Sequence, residues 1–189
     1  EMIETLIREG DNYLFLIPVY GGLLLGERLI DAIWTRRVWD HADAAVNLLI
    51  TLITLIQNVL IGHILPLAVM IWLHAHLAPW SLEVGATGWM IAFLLYDLAW
   101  YVDHRIGHRV GFFWAMHQVH HSSTQYNTTV ASRGFLADIT LINRPTFYLL
   151  AILGVTPFQF ICISIATNIW GIAQHTRLVG KLPVLDIFF

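Results

Sequence analysis

Residues 104–121 read HRIGHRVGFFWAMHQVHH. Five of the ten histidines of the chain lie here, with no Cys, Asp or Glu among them. Neutral imidazoles are nitrogen ligands for transition metals, so the stretch is a candidate metal site. On a helix, residues three and four apart share a face. His104 and His108 form one such pair, spaced HxxxH, and His117, His120 and His121 form a second group, spaced HxxHH. At about 100° per residue, the mean directions of the two groups on one straight helix differ by roughly 190°. Both can face one cavity only if the helix breaks between them. Gly107 and Gly111 are the available hinges, and a break is predicted near Gly111.

The spacing excludes several common sites. A structural zinc site closes with four ligands, usually with Cys among them. The HExxH protease pattern needs Glu after the first histidine, where this chain has Arg105. Ferritin-like di-iron sites are built from Glu and ExxH pairs, and the stretch contains no Glu. More imidazoles than one ion needs point to two iron ions. His41, His63, His74 and His76 are read as hydrogen-bonded or interfacial instead. The HAH spacing at 74–76 splits its pair across a helix.

The elements that must position these histidines are apolar. Of the 189 residues, 57% are hydrophobic and 12% charged, with eight Trp and a mean hydropathy of +0.65; soluble domains average roughly a quarter charged. No Asp, Glu, Lys or Arg occurs in 44–82 or in 145–176. A membrane-crossing helix needs about 20 mostly apolar residues, which both runs exceed. The expected fold is all-α: a single domain over 1–189, an integral membrane bundle of about four spans. The spans are placed at Asn12–Trp34, Ala44–Leu73, Gly88–Val102 and Pro145–His175. The second is one kinked helix or two segments broken at Gly62 and Pro66, and the fourth is a span or a hairpin bent at Gly154 and Pro157. Trp72, Trp80 and Trp89 are expected as interface anchors. Arg36 and Arg37, with Arg105 and Arg109, put the histidine-rich helical cap on the cytoplasmic side of a bacterial inner membrane or endoplasmic reticulum. No basic tract suggests nucleic acid. The lone Cys162 excludes an intrachain disulfide. The acidic start, EMIETLIREGD, lacks the basic region of a secretory signal, and both ends read as cuts in a longer protein.

HRIGH followed by HQVHHSS, with DLAWYVDHR before and HHSSTQYNTTVASR after, resembles the first two histidine boxes of the fatty acid hydroxylase and sterol desaturase superfamily of membrane di-iron oxygenases. GERLID, QYN and QHTRLVGKLPVLDIFF resemble its alkylglycerol monooxygenase-like branch, so the likeness runs from about residue 26 to the end. The resemblance implies that His104, His108, His117, His120, His121 and His175 are ligands of two Fe ions. It also implies a third HxxHH box after LPVLDIFF; without it, this stretch of chain is expected to be inactive on its own. One departure is Arg109, where the branch commonly has an acid.

The implied activity is O2-dependent oxidation of a membrane lipid (fatty acyl, sterol or alkylglycerol ether), with hydroxylation favoured over desaturation. Electrons would come from a reduced pterin in the alkylglycerol branch, or from a cytochrome b5-type electron-transfer partner elsewhere in the superfamily. Asp97, Asp103, Ser122 and Asn127 are the candidates to fix the imidazole tautomers. Trp100, Tyr101, Phe112, Phe113 and Trp114 are candidates to line a lipid slot. The rival readings are a membrane metal-binding or transport protein and an inactive short homologue. Transport favours ionisable groups inside the spans, whereas these histidines sit at a span exit.

Overall fold

The computed structural model describes residues 16–34, 39–57, 64–134, 144–178 and 180. Those residues form helices and turns, with no strand among them. Seven α-helices are described: α1 (Leu16–Trp34), α2 (His41–Gln57), α3 (Ile64–Leu77), α4 (Ala86–Arg109), α5 (Gly111–His117), α6 (Phe147–Ile152) and α7 (Pro157–Gln174). A short 3-10 turn, His120–Ser122, follows α5.

The central helix is α4, which packs against α5, α6 and α7, while α3 lies against α6 and α7 and α1 against α7. Its inward face is made of small residues and one ring: Ala92, Tyr96 and Ala99 are buried three or four residues apart. Tyr96 stacks on Phe147 at 4.9 Å, and Phe160 closes the triad at 5.4 Å from Tyr96 and 5.5 Å from Phe147. Leu67 and Met70 of α3 and Leu150, Ala151, Ile161 and Ile163 complete this core. Such aromatic pairs add about 0.5–1.5 kcal/mol each beyond the apolar area they bury.

The two charge-free runs fold differently from single spans. The first holds most of α2 and all of α3, with Gly62 and the junction outside the described residues. Pro66 does not break a helix: it falls in the first turn of α3, where its missing N–H has no helical acceptor to lose. The second run is the hairpin of α6 and α7. Gly154 turns it at φ +92°, the left-handed region that glycine enters at least cost. A capping box follows, in which Thr156 accepts from the Gln159 backbone N–H and the Gln159 side chain accepts from the Thr156 N–H, with Pro157 in the first turn. The turn is pinned from outside, because Trp80 Nε1 donates to the Leu153 carbonyl (3.2 Å) and the Leu82 N–H to the Gly154 carbonyl (2.8 Å). Trp80 therefore locks a hairpin.

Among the described residues no helix is long and apolar enough to cross a membrane. At 1.5 Å per residue the 14 residues of α3 reach about 21 Å, against a hydrocarbon core of about 30 Å. The longer α1 carries Glu27, Arg28 and Asp31. Of the expected four-span bundle, the all-helical character is what the structure displays. Arg36, Arg37, His63, Lys181, residues 12–15 and the final LPVLDIFF lie outside the described residues.

A Cβ at Gly154 would stand 2.7 Å from Trp80 Cδ1 and 2.8 Å from the Trp80 carbonyl oxygen. Gly154→Ala is expected to cost about 2 kcal/mol from the positive φ alone, with the clash adding to it. Thermal denaturation should show a melting temperature lower by roughly 4–8 °C.

Candidate metal centre

The HxxxH pair occupies the last turns of α4. Val110 then leaves the helix at φ −106° and ψ 120°, and α5 restarts at Gly111. One extended residue resets the helical register, so HxxHH folds back over HxxxH, as the opposed directions of the two groups require. The break falls one residue before the predicted hinge.

The result is a four-imidazole group. One ring nitrogen from each of His104, His108, His117 and His121 lies within 4.8 Å of all the others. His104 and His108 approach Nε2 to Nε2 at 3.1 Å, and so do His117 and His121. Across the break, the His117 ring stands edge-on to His104 and His108, with centroids 4.7 Å away in both cases. Trp100 stacks on His104 at 4.7 Å, and Trp114 packs against His108 and His121.

A second constellation lies beside the first. His175, at the C-terminal end of α7, brings its Nε2 to 3.3 Å from that of His120. The outer nitrogens of both rings face carbonyls: His120 Nδ1 the Arg133 oxygen at 3.2 Å, His175 Nδ1 the Gly171 oxygen at 2.6 Å. A carbonyl only accepts, so each Nδ1 must carry the proton. In the neutral rings, both Nε2 atoms are then bare acceptors aimed at one another. Two lone pairs at that distance repel unless a cation lies between them. The arrangement suits a metal ion.

Protonation favours the same state. Burial, reinforced by the neighbouring imidazoles, lowers His104 to about 4, His117 to about 3 and His120 to about 4, and moves His121 down as well. Near pH 7 these rings are neutral, the form that binds metal.

The fatty acid hydroxylase family model matches residues 89–189, just over half of the chain and all of both constellations. The chain belongs to the fatty acid hydroxylase family. Curated relatives named alkylglycerol monooxygenase are 34% identical over 120 residues in Danio rerio, 30% over 110 in Homo sapiens and 29% over 112 in Caenorhabditis elegans. Those alignments cover 62%, 58% and 59% of this chain but only 26%, 23% and 20% of the relatives, so the chain spans roughly a quarter of their length. They support the alkylglycerol monooxygenase-like branch. No solved structure gives a significant match.

In this hydroxylase-family chain the rings are held by polar groups that are mostly not the expected ones. Arg133 is the main strut. Its carbonyl faces His120, and its guanidinium donates to the Val119 carbonyl (3.0 Å), Ser122 Oγ (2.7 Å) and Asn47 Oδ1 (2.5 Å). Asn47 is fully buried and donates in turn to Asp43 and Thr129. Glu27 of α1, also buried, accepts from Trp39 Nε1, the Thr128 N–H and hydroxyl, and the hydroxyl of Thr176 beside His175. It thus ties α1 to the segments after the second box and after His175. The sequence signal for Glu27 and Asn47 was there to read: polar groups within apolar helices, which persist only where something needs them.

Of the four candidates for fixing tautomers, Asp103 lines a small cavity with His104 and His117. Burial pushes its carboxyl above the usual range. Ser122 acts through Arg133, and Asn127 is buried, accepting from Thr129. Asp97 is exposed and makes no hydrogen bond to the six histidines. Seven residues return to the same face, but about 10 Å away along the axis, beyond the reach of a carboxylate. His74 and His76 bond away from the centre, His74 to the Ala151 carbonyl of α6 and to Ser81, and His76 to the Trp72 carbonyl one turn back.

Two outcomes follow. Because the folded-state values of His104, His117 and His120 lie below the ordinary 6.5, acid protonates the unfolded chain first. The stability of the metal-free chain should be fully present above about pH 6.5 and decline as pH falls towards 4; denaturation with chelator present would show it. Glu27→Ala strands buried donors of Thr128 and Trp39 and should cost about 2–4 kcal/mol, whereas Glu27→Gln, which keeps an acceptor oxygen, should cost less. Chemical denaturation curves measure both.

Proposed function

We propose that the chain forms the metal-binding part of a membrane di-iron oxygenase that hydroxylates a lipid. His104, His108, His117 and His121 would hold one iron, and His120 and His175 would contribute to a second. The remaining ligands of the second would come from the third HxxHH box expected after LPVLDIFF. The observation that carries this is the His120–His175 pair: two Nε2 atoms facing each other at 3.3 Å, with their outer nitrogens committed to carbonyls. His175 joins from 55 residues away, so helix spacing does not explain the meeting.

Lipid C–H bonds resist acid–base chemistry, and bound iron supplies the O2-derived oxidising power that they require. The protein supplies placement. Trp100 and Trp114 pack against the four-imidazole group, and the carbonyls of Arg133 and Gly171 hold two rings in the ligating tautomer. The names of the relatives favour an alkylglycerol ether as the lipid.

Support for a membrane setting is the inverted distribution of side chains. Leu25, Leu29 and Ile33 follow one exposed face of α1, and Leu49, Leu52 and Ile56 one of α2, while Glu27, Asp31 and Asn47 are buried. Large exposed apolar faces over a polar interior suit helices whose outer surface meets lipid. A lipid would then reach the centre sideways from the bilayer.

The test uses the full-length protein. Metal analysis should give two irons per chain, and turnover of an alkylglycerol under labelled O2 should place label in the product. His175→Ala should lose iron and reduce turnover by roughly 100-fold or more. Exchangeable zinc or copper without turnover would overturn the proposal.

A further inference from the structure

The rings of His120 and His175 have carbonyl partners on Nδ1, but those of His104 and His117 do not. Their Nε2 atoms meet His108 and His121, and no described residue hydrogen-bonds to either Nδ1. Metal-binding histidines almost always pass that second nitrogen to an outer acceptor. Both rings line a cavity of about 20 Å³, together with Asp103, Gly107 and Arg144.

Asp103 is only 5% exposed. Its Oδ1 accepts from the Thr146 N–H at 3.3 Å, while Oδ2 is buried without any hydrogen-bond partner. Arg144 faces the same cavity, but its guanidinium rests over the Phe147 ring at 5.4 Å from the centroid. An orphaned buried acceptor is destabilising, more so if charged, so it calls for a donor. The cavity exceeds the about 10–15 Å³ that one water requires, and its polar walls offer the two to four partners that a buried water needs.

We propose that Asp103 is a positioning residue that acts through one bound water: Oδ2 accepts from the water, and the water accepts from the imidazole N–H of His104 or His117. The carboxylate thereby supplies the outer acceptor that the ring otherwise lacks. It never touches the iron. Asp103 also joins the centre to the core, since Thr146 at the entry to α6 is held by its other oxygen and by the Ala99 carbonyl of α4 (2.9 Å). This inference rests on the metal-centre reading above.

Asp103→Asn separates the two oxygens. The amide keeps an acceptor for the Thr146 N–H but puts a donor where Oδ2 stood. The variant should keep the melting temperature of the metal-free protein while the full-length protein loses iron about 10–100-fold more readily to a chelator. The iron absorption or Mössbauer signature should change with it. Asp103→Glu, which restores a carboxylate, should recover part of the affinity. Unchanged iron retention in Asp103→Asn, or a loss matched by a fall in metal-free stability, would overturn the proposal. Should that variant not fold, an experimental structure of the wild-type protein decides: an ordered water within hydrogen-bond distance of Oδ2 sustains it, and an empty or Arg144-filled cavity refutes it. Wild-type protein that binds no iron would instead sink the metal-centre reading itself, so the two failures are distinguishable.

Discussion

Imidazole rings do not gather unaided. Six imidazoles in two adjoining groups, with Nε2 atoms 3.1–3.3 Å apart in three pairs, form a concentration of ring nitrogens that has to be enforced by the rest of the chain. Partial burial acts on the same rings: desolvation lowers His104, His117, His120 and His121 and so favours their unprotonated, metal-binding form. Much of the described structure serves that constraint. The extended Val110 turns α5 back on α4, the hairpin at Gly154 starts α7 on the course that ends at His175, and carbonyls take up the outer protons of two rings.

The enforcement is polar. A core of Tyr96, Phe147, Phe160 and their aliphatic neighbours fixes α3, α4, α6 and α7 as a unit. The second histidine box lies away from that core, on a segment held by Arg133, Asn47, Asp43 and Glu27. Hydrogen bonds are directional where apolar contacts are not, and the ligand set proposed above needs direction to about half an ångström. This division also explains the buried Glu27 and Asn47 on helices whose outer faces are leucine and isoleucine.

Legibility in the sequence followed the range of the interaction. The helix-face spacings of HxxxH and HxxHH are local, and so is the argument that one straight helix cannot serve both; the break at Val110 needed nothing beyond that. His175 was reached by resemblance alone, since 55 residues of separation leave no periodicity to read. Arg133 went unrecognised because an arginine after a run of Thr, Ala and Ser looks like the end of a loop, and its role depends on which carbonyls and amides surround it. Asp97 had the right face and the wrong distance. The apolar runs gave helices, yet charge-free length said nothing about where a turn would fall: Gly154 divides one run, and Pro66 merely begins a helix.

What the sequence alone determined is the chemistry available here: an imidazole-rich, carboxylate-poor site on helices apolar enough to leave little else to read, in a family that the two histidine boxes suffice to mark. Residue type sets ligand chemistry, and local spacing sets the helical face. Tertiary structure alone decided how the rings divide into a group of four and a pair, which groups take their outer protons, and that one carboxylate oxygen of Asp103 is left facing a water-sized space. Those outcomes depend on distances between atoms far apart along the chain, which close only when the helices pack.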